Sequence, residues 1–243
     1  MSTLASSELA QLWVYLAESP LLGLTLTVWV YLGAVAVYRA SGQHSLANPV
    51  ALSITVLALL LYALGIPYQR YFDGAQFIHF LLGPATVALA LPLWEQRHML
   101  TRKAPAVLAG VLVGSAVATG SAWCLAQWLG ASHTTVASLA PKSVTTPVAM
   151  AIAEQIGGLP SLTAALVVCT GVVGAIMAPW LLRSFVRECP DSVGVALGSV
   201  AHGIGTARAL QWGSSSGAYA ALAMGISAVA SSVLLPLVWR LFA

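Results

Sequence analysis

Charged residues are scarce in this sequence. Asp, Glu, Lys and Arg supply 7% of its 243 residues, hydrophobic residues supply 59%, and the mean hydropathy is +0.88. Soluble domains carry about 25% charged residues, so this composition cannot form a water-facing surface. The alternation typical of transmembrane β-strands is also missing. The sequence therefore predicts an all-α, polytopic membrane protein.

The patterns of several other protein classes are missing as well. Cys124, Cys169 and Cys189 form no CxxC pair and no metal-ligand spacing, so we expect no metal and no cofactor. The net charge of +3 comes from basic residues scattered over loops, which excludes a nucleic-acid surface. No HExxH motif, nucleophile elbow or carboxylate dyad is present, so we do not expect an enzyme.

Long apolar stretches predict the membrane spans, since a spanning helix needs about 20 residues. They lie at about 21–38, 47–66, 75–94, 104–129, 160–183 and 216–239. With two broken segments described next, this gives six to eight spans or half-spans in a single transmembrane domain over 21–243. Residues 1–20, with leucines at helical spacing, predict a short interfacial helix.

Basic residues predict the orientation, because they concentrate in cytoplasmic loops. We expect one set on the cytoplasmic side: Arg39, the loop from Arg97 to Lys103, Arg183, Arg187 and Arg240. Successive loops then alternate between the two sides of the membrane only under two conditions. Residues 131–159 must begin and end on the outer side, and residues 188–215 must start on the cytoplasmic side and reach the outer side. Neither segment is apolar throughout, so both are predicted to be re-entrant or broken helices.

A lysine among hydroxyl side chains lies between two prolines in the segment Pro141-Lys142-Ser143-Val144-Thr145-Thr146-Pro147. A charge at membrane depth costs about 2.5–3.5 kcal/mol on insertion scales. A broken helix at that depth is tolerated only when it is buried in protein or lines a cavity. Thr146 and Pro147 suit a helix start, whose N–H groups and dipole favour an anion. The alternative is a lysine that snorkels to the interface beside an ordinary proline kink.

Glycines recur through the second broken segment, from Gly194 to Arg208. They favour close helix packing first and a backbone break at Gly203 and Gly205 afterwards. Thr206 is suited to cap a new helix that displays Arg208, whose guanidinium can bind a carboxylate through two hydrogen bonds. His202 is a candidate for substrate binding or proton transfer. The alternatives are a satisfied buried histidine and an arginine that anchors a helix end.

Two further features bear on function. Glu154 is predicted to lie in the helix that continues from Thr146, where it carries a coupling proton, pairs with Lys142 or Arg208, or lies at the interface. Pro84 begins a possible internal repeat, since the sequence around it resembles that around Pro141 at an offset of about 57 residues. Such repeats place discontinuous helices around a midplane site in transporters, and chance similarity is the alternative.

With these residues in view, the chain resembles the LrgB/CidB family of membrane proteins, including the YohK-like inner-membrane proteins. The resemblance covers nearly the whole chain from about residue 20. The residues that carry it are Pro84, Val87 to Ala90, Pro92 to Gln96, Pro141 to Met150, Ile156 to Gly158, and Gly198 to Arg208.

The resemblance implies two functional hypotheses. Bacterial members are described as holin- or antiholin-like regulators of murein hydrolases and autolysis, acting beside a small LrgA/CidA-type partner. Plastid relatives look like glycolate/glycerate translocators. Together with the cationic motifs, this favours a carrier of small monocarboxylates in the bacterial inner membrane, with an LrgA-type partner and a homo-oligomer expected. The predicted substrate-binding residues are Lys142, Ser143, Thr145, Thr146, His202, Thr206 and Arg208, with Glu154 or His202 for a proton. The predicted helix breaks are Pro84, Pro141, Pro147, Gly203 and Gly205.

Overall fold

The computed structural model describes residues 20–81, 84, 87–88, 90–95, 97–182 and 189–242. All regular secondary structure in these residues is helical, which confirms the predicted all-α class. The helices are α1 Pro20–Ala40, α2 Pro49–Ala63, α3 Tyr68–Phe80, α4 Ala90–Glu95, α5 Arg97–Trp128, α6 His133–Leu139, α7 Thr146–Gln155, α8 Pro160–Leu182, α9 Pro190–Trp212 and α10 Ser214–Phe242, with a 3-10 helix at Ser45–Ala47. Long apolar segments of α1, α5, α8 and α10 are candidate membrane spans.

The chain divides into two compact units, residues 1–88 and 89–243. In the first, α1 packs against α2 and α3, and the Thr27 and Tyr71 hydroxyls are hydrogen-bonded at 2.8 Å. The Asn48 side chain accepts from the Val50 and Ala51 N–H groups at the start of α2. The predicted single domain over 21–243 stays a prediction. The interfacial helix at 1–20 lies outside the described residues.

In the second unit, α5 and α10 run side by side in the same direction. Val107 and Val111 pack in one cluster with Tyr219 and Ala223, and the Ser115 hydroxyl meets that of Ser227 at 3.1 Å. In these pairs the residue numbers increase in the same order on α5 and on α10, so the two helices are parallel. They begin at one end of the unit, which we call the Lys103 end, and they end at the other, which we call the Trp128 end.

The segment between α5 and α8 is a re-entrant hairpin, hairpin A (residues 132–158), made of α6, a tip at residues 140–145, and α7. It starts at the Trp128 end, where the Ser132 side chain accepts from the Thr135 N–H. After α7, Gly158 lies so close to the Ser138 backbone that a Cβ would meet Ser138 N at 2.8 Å. The Leu159 N–H donates to the Ser138 hydroxyl at 2.8 Å. The segment therefore begins and ends at one end of the unit, as its sequence predicts.

Helix α9 is a second re-entrant hairpin, hairpin B (residues 190–212), entering from the Lys103 end. Its inbound and return arms are joined at His202, whose φ of 41° and ψ of −133° are not helical. The return arm folds back on the inbound arm, because a Cβ on Gly205 would meet the carbonyl oxygen of Leu197, eight residues earlier, at 2.5 Å. At the open end, the Ser216 hydroxyl donates to the Pro190 carbonyl at 2.8 Å.

The positions of the hairpins correct two orientation predictions. The segment predicted to cross from 188 to 215 does not cross: its described residues, from 189 on, return to the Lys103 end, where Ser216 lies beside Pro190. Arg240 consequently lies at the Trp128 end, opposite Lys103, because α10 runs parallel to α5. The prediction that Arg240 shares a side with the loop from Arg97 to Lys103 is therefore wrong. A single arginine is a weak signal of orientation, because the rule depends on an excess of basic residues over a whole loop.

In the described residues of the second unit, a hairpin followed by a span occurs twice, in opposite directions. Hairpin A is followed by the span α8, and hairpin B by the span α10. Helix α8 begins beside Ser138 and ends with Ala178 and Leu182 packed near Val193, so it runs opposite to α10. The predicted repeat and break at Pro84 stay predictions, since most neighbours of Pro84 lie outside the described residues.

Candidate functional site

The tip of hairpin A is fixed to the middle of α5. The Lys142 ammonium donates to the Ala118 carbonyl at 2.8 Å, and the Thr119 hydroxyl donates to the Ala140 carbonyl at 3.3 Å. Pro141 is fully buried and Lys142 is half-buried. The lysine therefore points into protein and does not extend to the membrane surface.

Hydrogen-bond donors at this tip have capacity left for a ligand. The Ser143 side chain is 5% exposed, and its hydroxyl has no hydrogen-bond partner among the described residues. Lysine has three N–H donors, of which the Ala118 carbonyl takes one. Buried polar groups are normally hydrogen-bonded, so an unpaired serine beside a half-buried ammonium is typical of a ligand site.

A helix N-terminus adds backbone donors to the same tip. Helix α7 begins at Thr146, and Thr145 is its N-cap, one residue before the predicted cap. The Thr145 side chain makes no capping hydrogen bond. The N–H groups of Thr146 and Val148 have no acceptor within the helix, since they belong to its first turn. The dipole of α7 makes this end positive, so the whole set favours an anion.

Hairpin B presents a different tip. His202 is 5% exposed, and its Nε2 lies 2.9 Å from the Val167 carbonyl oxygen on α8. A carbonyl only accepts, so Nε2 carries the proton and donates it. Gly171 leaves room for the ring, because a Cβ there would lie 2.7 Å from His202 Cε1. The break is at His202, one residue before the predicted Gly203, and Gly203 and Gly205 are helical.

The other predicted residues of hairpin B lie on its return arm. Thr206 is 1% exposed and its hydroxyl donates to the His202 carbonyl at 2.8 Å, so it lies within the helix and does not cap it. Arg208 is six residues past the tip, about 9 Å along the helix. Its partners include the Gln211 side chain at 2.7 Å and the Trp212 ring at 5.2 Å. The joint role of Arg208 and Lys142 stays a prediction.

Glu154 lies near the end of α7 and is exposed. This end of hairpin A is the one that returns to the Trp128 end, so the carboxyl is about 12 Å along the helix from Thr146. The proton-coupling role of Glu154 stays a prediction, as does that of His202.

Both hairpin tips reach a similar depth in the unit. Ser199, three residues before His202, lies against Gly114 of α5, whose added Cβ would be 3.6 Å from the Ser199 hydroxyl. Ala118, which holds Lys142, is one turn further along α5. On α8, Val167 bonds to His202 through its carbonyl and belongs to the same buried cluster as Ala140 and Val144 of hairpin A. The two breaks therefore converge near the middle of α5 and α8.

Sequence reasoning missed the acceptors that hold the two tips. These are the backbone carbonyls of Ala118 and Val167, which no side-chain pattern can indicate. The one relevant signal was the row of small residues in α5, including Gly110, Gly114 and Ala118, which predicts close helix packing.

Comparisons with known proteins identify the family of this chain. A sequence model of the LrgB-like family matches residues 27–241. The uncharacterized protein YwbG of Bacillus subtilis is 37% identical over 86% of this chain and 92% of its own length. The holin-like protein CidB of Staphylococcus aureus is 30% identical over 91% of this chain and 96% of its own length. No solved structure matches the chain. The chain thus belongs to the LrgB-like family of membrane proteins.

Proposed function

We propose that this protein is a carrier of small monocarboxylates of the glycolate, glycerate, lactate and pyruvate class. The observation that supports it is the pair of re-entrant hairpins, which enter from opposite ends and break at a similar depth. Alternating access needs a central site that can be closed from either end, and discontinuous helices whose N-termini face an anion are a recurring way to build one. We propose the bacterial inner membrane as its location.

The tip of hairpin A supplies the chemistry that a monocarboxylate requires. Lys142 provides a cation, Ser143 and Thr145 provide hydroxyl donors, and the start of α7 provides backbone N–H groups. Hydrogen bonds that involve ions are roughly twice as strong as neutral ones. We also keep as part of this proposal the predicted binding of the substrate by Thr146, His202, Thr206 and Arg208.

Counterflow of labelled lactate, pyruvate, glycolate and glycerate in proteoliposomes tests the proposal. We expect uptake of at least one of them, and a loss of about 100-fold in Lys142→Gln, since removing a buried charged hydrogen-bonding partner costs about 3 kcal/mol. Arg208→Gln is measured beside it. Arg240→Gln is the control, because Arg240 lies at the Trp128 end and should leave uptake unchanged. The proposal fails if no acid of the panel is transported, or if Lys142→Gln and Arg208→Gln both transport normally.

A second candidate function is regulation of murein hydrolases and autolysis, as a holin- or antiholin-like protein with an LrgA-type partner. The observation that favours it is the name of the Staphylococcus relatives, holin-like protein CidB. It predicts that deletion changes the rate of autolysis without a substrate-specific uptake defect. Co-purification with an LrgA-type protein, and the mass of the purified complex, test the proposed partner and the proposed homo-oligomer.

A further inference from the structure

A cavity of about 540 Å³ opens at the Lys103 end of the second unit. Its walls come from the first half of α5, the inbound arm of hairpin B and Tyr219 of α10. It begins at Lys103 and Asp191 and reaches Ser199 and Val200, two residues before His202. Val200 follows Asp191 by nine positions, which is about 14 Å along a helix. A volume of this size is typical of small-ligand sites.

Two residues that line this cavity at the Lys103 end form an ion pair. The Lys103 ammonium donates to the Asp191 carboxylate, and their side chains are 53% and 19% exposed. This hydrogen bond holds the pKa of the Asp191 carboxyl below its usual range, so the pair is ionised at neutral pH. Lys103 therefore has a carboxylate partner already, and a second carboxylate that enters the cavity competes with Asp191 for it.

Tyr219 gives an independent indication of a ligand. Its side chain is fully buried and lines the cavity, yet its hydroxyl has no hydrogen-bond partner among the described residues. Lys103 and Asp191 line the same cavity. The Tyr219 phenol is therefore a donor without an acceptor in a cavity that also contains the Lys103 ammonium, and a ligand carboxylate could accept from both.

We infer that this cavity is a vestibule that binds a small monocarboxylate between the Lys103 end and the hairpin tips, with Lys103 and Tyr219 as its donors. Asp191 is the built-in competitor that holds Lys103 when the vestibule has no ligand. The apolar walls, among them Ala106, Val107 and Val195, accept the short hydrocarbon part of such an acid. The inference rests on the proposed carrier function.

Cysteine accessibility tests the vestibule without requiring transport. Cys124, Cys169 and Cys189 are free and are first replaced by serine. Val200→Cys and Ala196→Cys then report on two depths of the vestibule, so that one remains if the other does not fold. We expect the membrane-impermeant anionic reagent sulfonatoethyl methanethiosulfonate to modify both in inside-out vesicles, because these expose the predicted cytoplasmic side, which is the Lys103 end. Val113→Cys, on the exposed apolar face of α5, should stay unmodified in lipid.

Charge variants give the sign of the effect. Asp191→Asn frees Lys103 and should raise the rate of modification by the anionic reagent about tenfold, since one ionic hydrogen bond is released. Lys103→Gln should lower it by a similar factor. Asp191→Glu keeps the ion pair and is the control. Sodium lactate should protect Val200→Cys from modification, compared with sodium chloride at equal ionic strength. Tyr219→Phe should weaken that protection by lactate about threefold to tenfold.

A steric variant tests whether the route is this cavity. A Cβ on Gly110 would lie 3.6 Å from the Val195 side chain, an ordinary contact, so Gly110→Ala should change little. Gly110→Leu extends into the cavity between Lys103 and Val200, and it should protect Val200→Cys from modification.

The outcomes separate the vestibule from the carrier function. The vestibule is refuted if both cysteines stay unmodified. It is also refuted if the rate of their modification is the same with and without lactate and in the Lys103→Gln and Asp191→Asn variants. Protection by lactate without any transport in proteoliposomes would refute the carrier and support the vestibule. Transport in proteoliposomes, together with a labelling rate that Lys103→Gln and Asp191→Asn leave unchanged, would support the carrier and refute the vestibule.

Discussion

The two hairpins share a shape and differ in how their tips are bonded. At the tip of hairpin B, the polar groups are already used within the protein: His202 bonds to Val167, Thr206 to His202, and the Ser199 hydroxyl donates to the Val195 carbonyl at 2.8 Å. At the tip of hairpin A, Ser143 has no partner among the described residues and Thr145 makes no capping bond.

The packing of the hairpins differs in the same way. Two glycines of the inbound arm, Gly194 and Gly198, let hairpin B lie directly against the backbone of α10. Hairpin A packs through larger side chains, in a cluster that includes Val144, Ile152 and the partly buried Trp239. In this structure, hairpin B is therefore bonded and packed as a support, whereas hairpin A has donors without a partner among the described residues.

The largest effect that tests this difference is expected at Gly198. A Cβ there would collide with the Ala220 carbonyl oxygen, which is backbone and cannot rotate away. Gly198→Ala should therefore cost about 3 kcal/mol or more, at the upper end for overpacked sites. At about 2–4 °C per kcal/mol, the thermal midpoint in detergent should fall by about 6–12 °C. Gly203→Ala is the control, since nothing lies within 4 Å of its added Cβ. Equal midpoints for the two variants would contradict the close packing of hairpin B.

The second effect concerns the backbone at His202. Its φ of 41° with ψ of −133° is a combination that glycine adopts readily and other residues do not. Strain of this kind costs about 1–3 kcal/mol. His202→Gly and His202→Ala both lose the bond to Val167, but the glycine relieves the strain, so it should be the more stable by that amount. Thermal unfolding measures the difference.

The neighbouring residue provides the control for this pair. Ala201 is helical and 1% exposed, so Ala201→Gly should destabilise the protein by about 1 kcal/mol. If glycine is worse than alanine at both positions, the break is not at His202.

The third effect separates binding from stability at the tip of hairpin A. Ser143→Ala removes a hydroxyl without a protein partner among the described residues, so the thermal midpoint should not fall. If the hydroxyl donates to the substrate carboxylate, KM for uptake should rise about tenfold. Ser138→Ala is the matched control on the same hairpin, because its hydroxyl bonds to Thr134 and Leu159. That variant should lose stability and keep its KM, and the opposite pattern would refute the division of roles.

The sequence predicted hairpin A more accurately than hairpin B, for physical reasons. Prolines at 141 and 147 restrict the backbone directly, so the break and the start of α7 were predicted within one residue. The break of hairpin B depends on a histidine that tertiary contacts hold at positive φ, and no local preference indicates it. The glycines were correctly read as packing sites, but their partner, the backbone of α10, comes from later in the chain.

The smallest effect tests whether hairpin B is a support only. Thr206→Val replaces a hydroxyl that donates to the His202 carbonyl by a methyl group of similar size, which should cost about 1 kcal/mol of stability. Thr206→Ser keeps the hydroxyl and should retain most of the stability. If hairpin B is a support only, KM for uptake should not change in either variant, because this bond lies inside the hairpin. A raised KM with unchanged stability would mean that Thr206 turns toward the substrate during transport, as its sequence position first predicted. The hairpins would then share the binding site, and the contrast between their tips would belong to one conformation of the carrier.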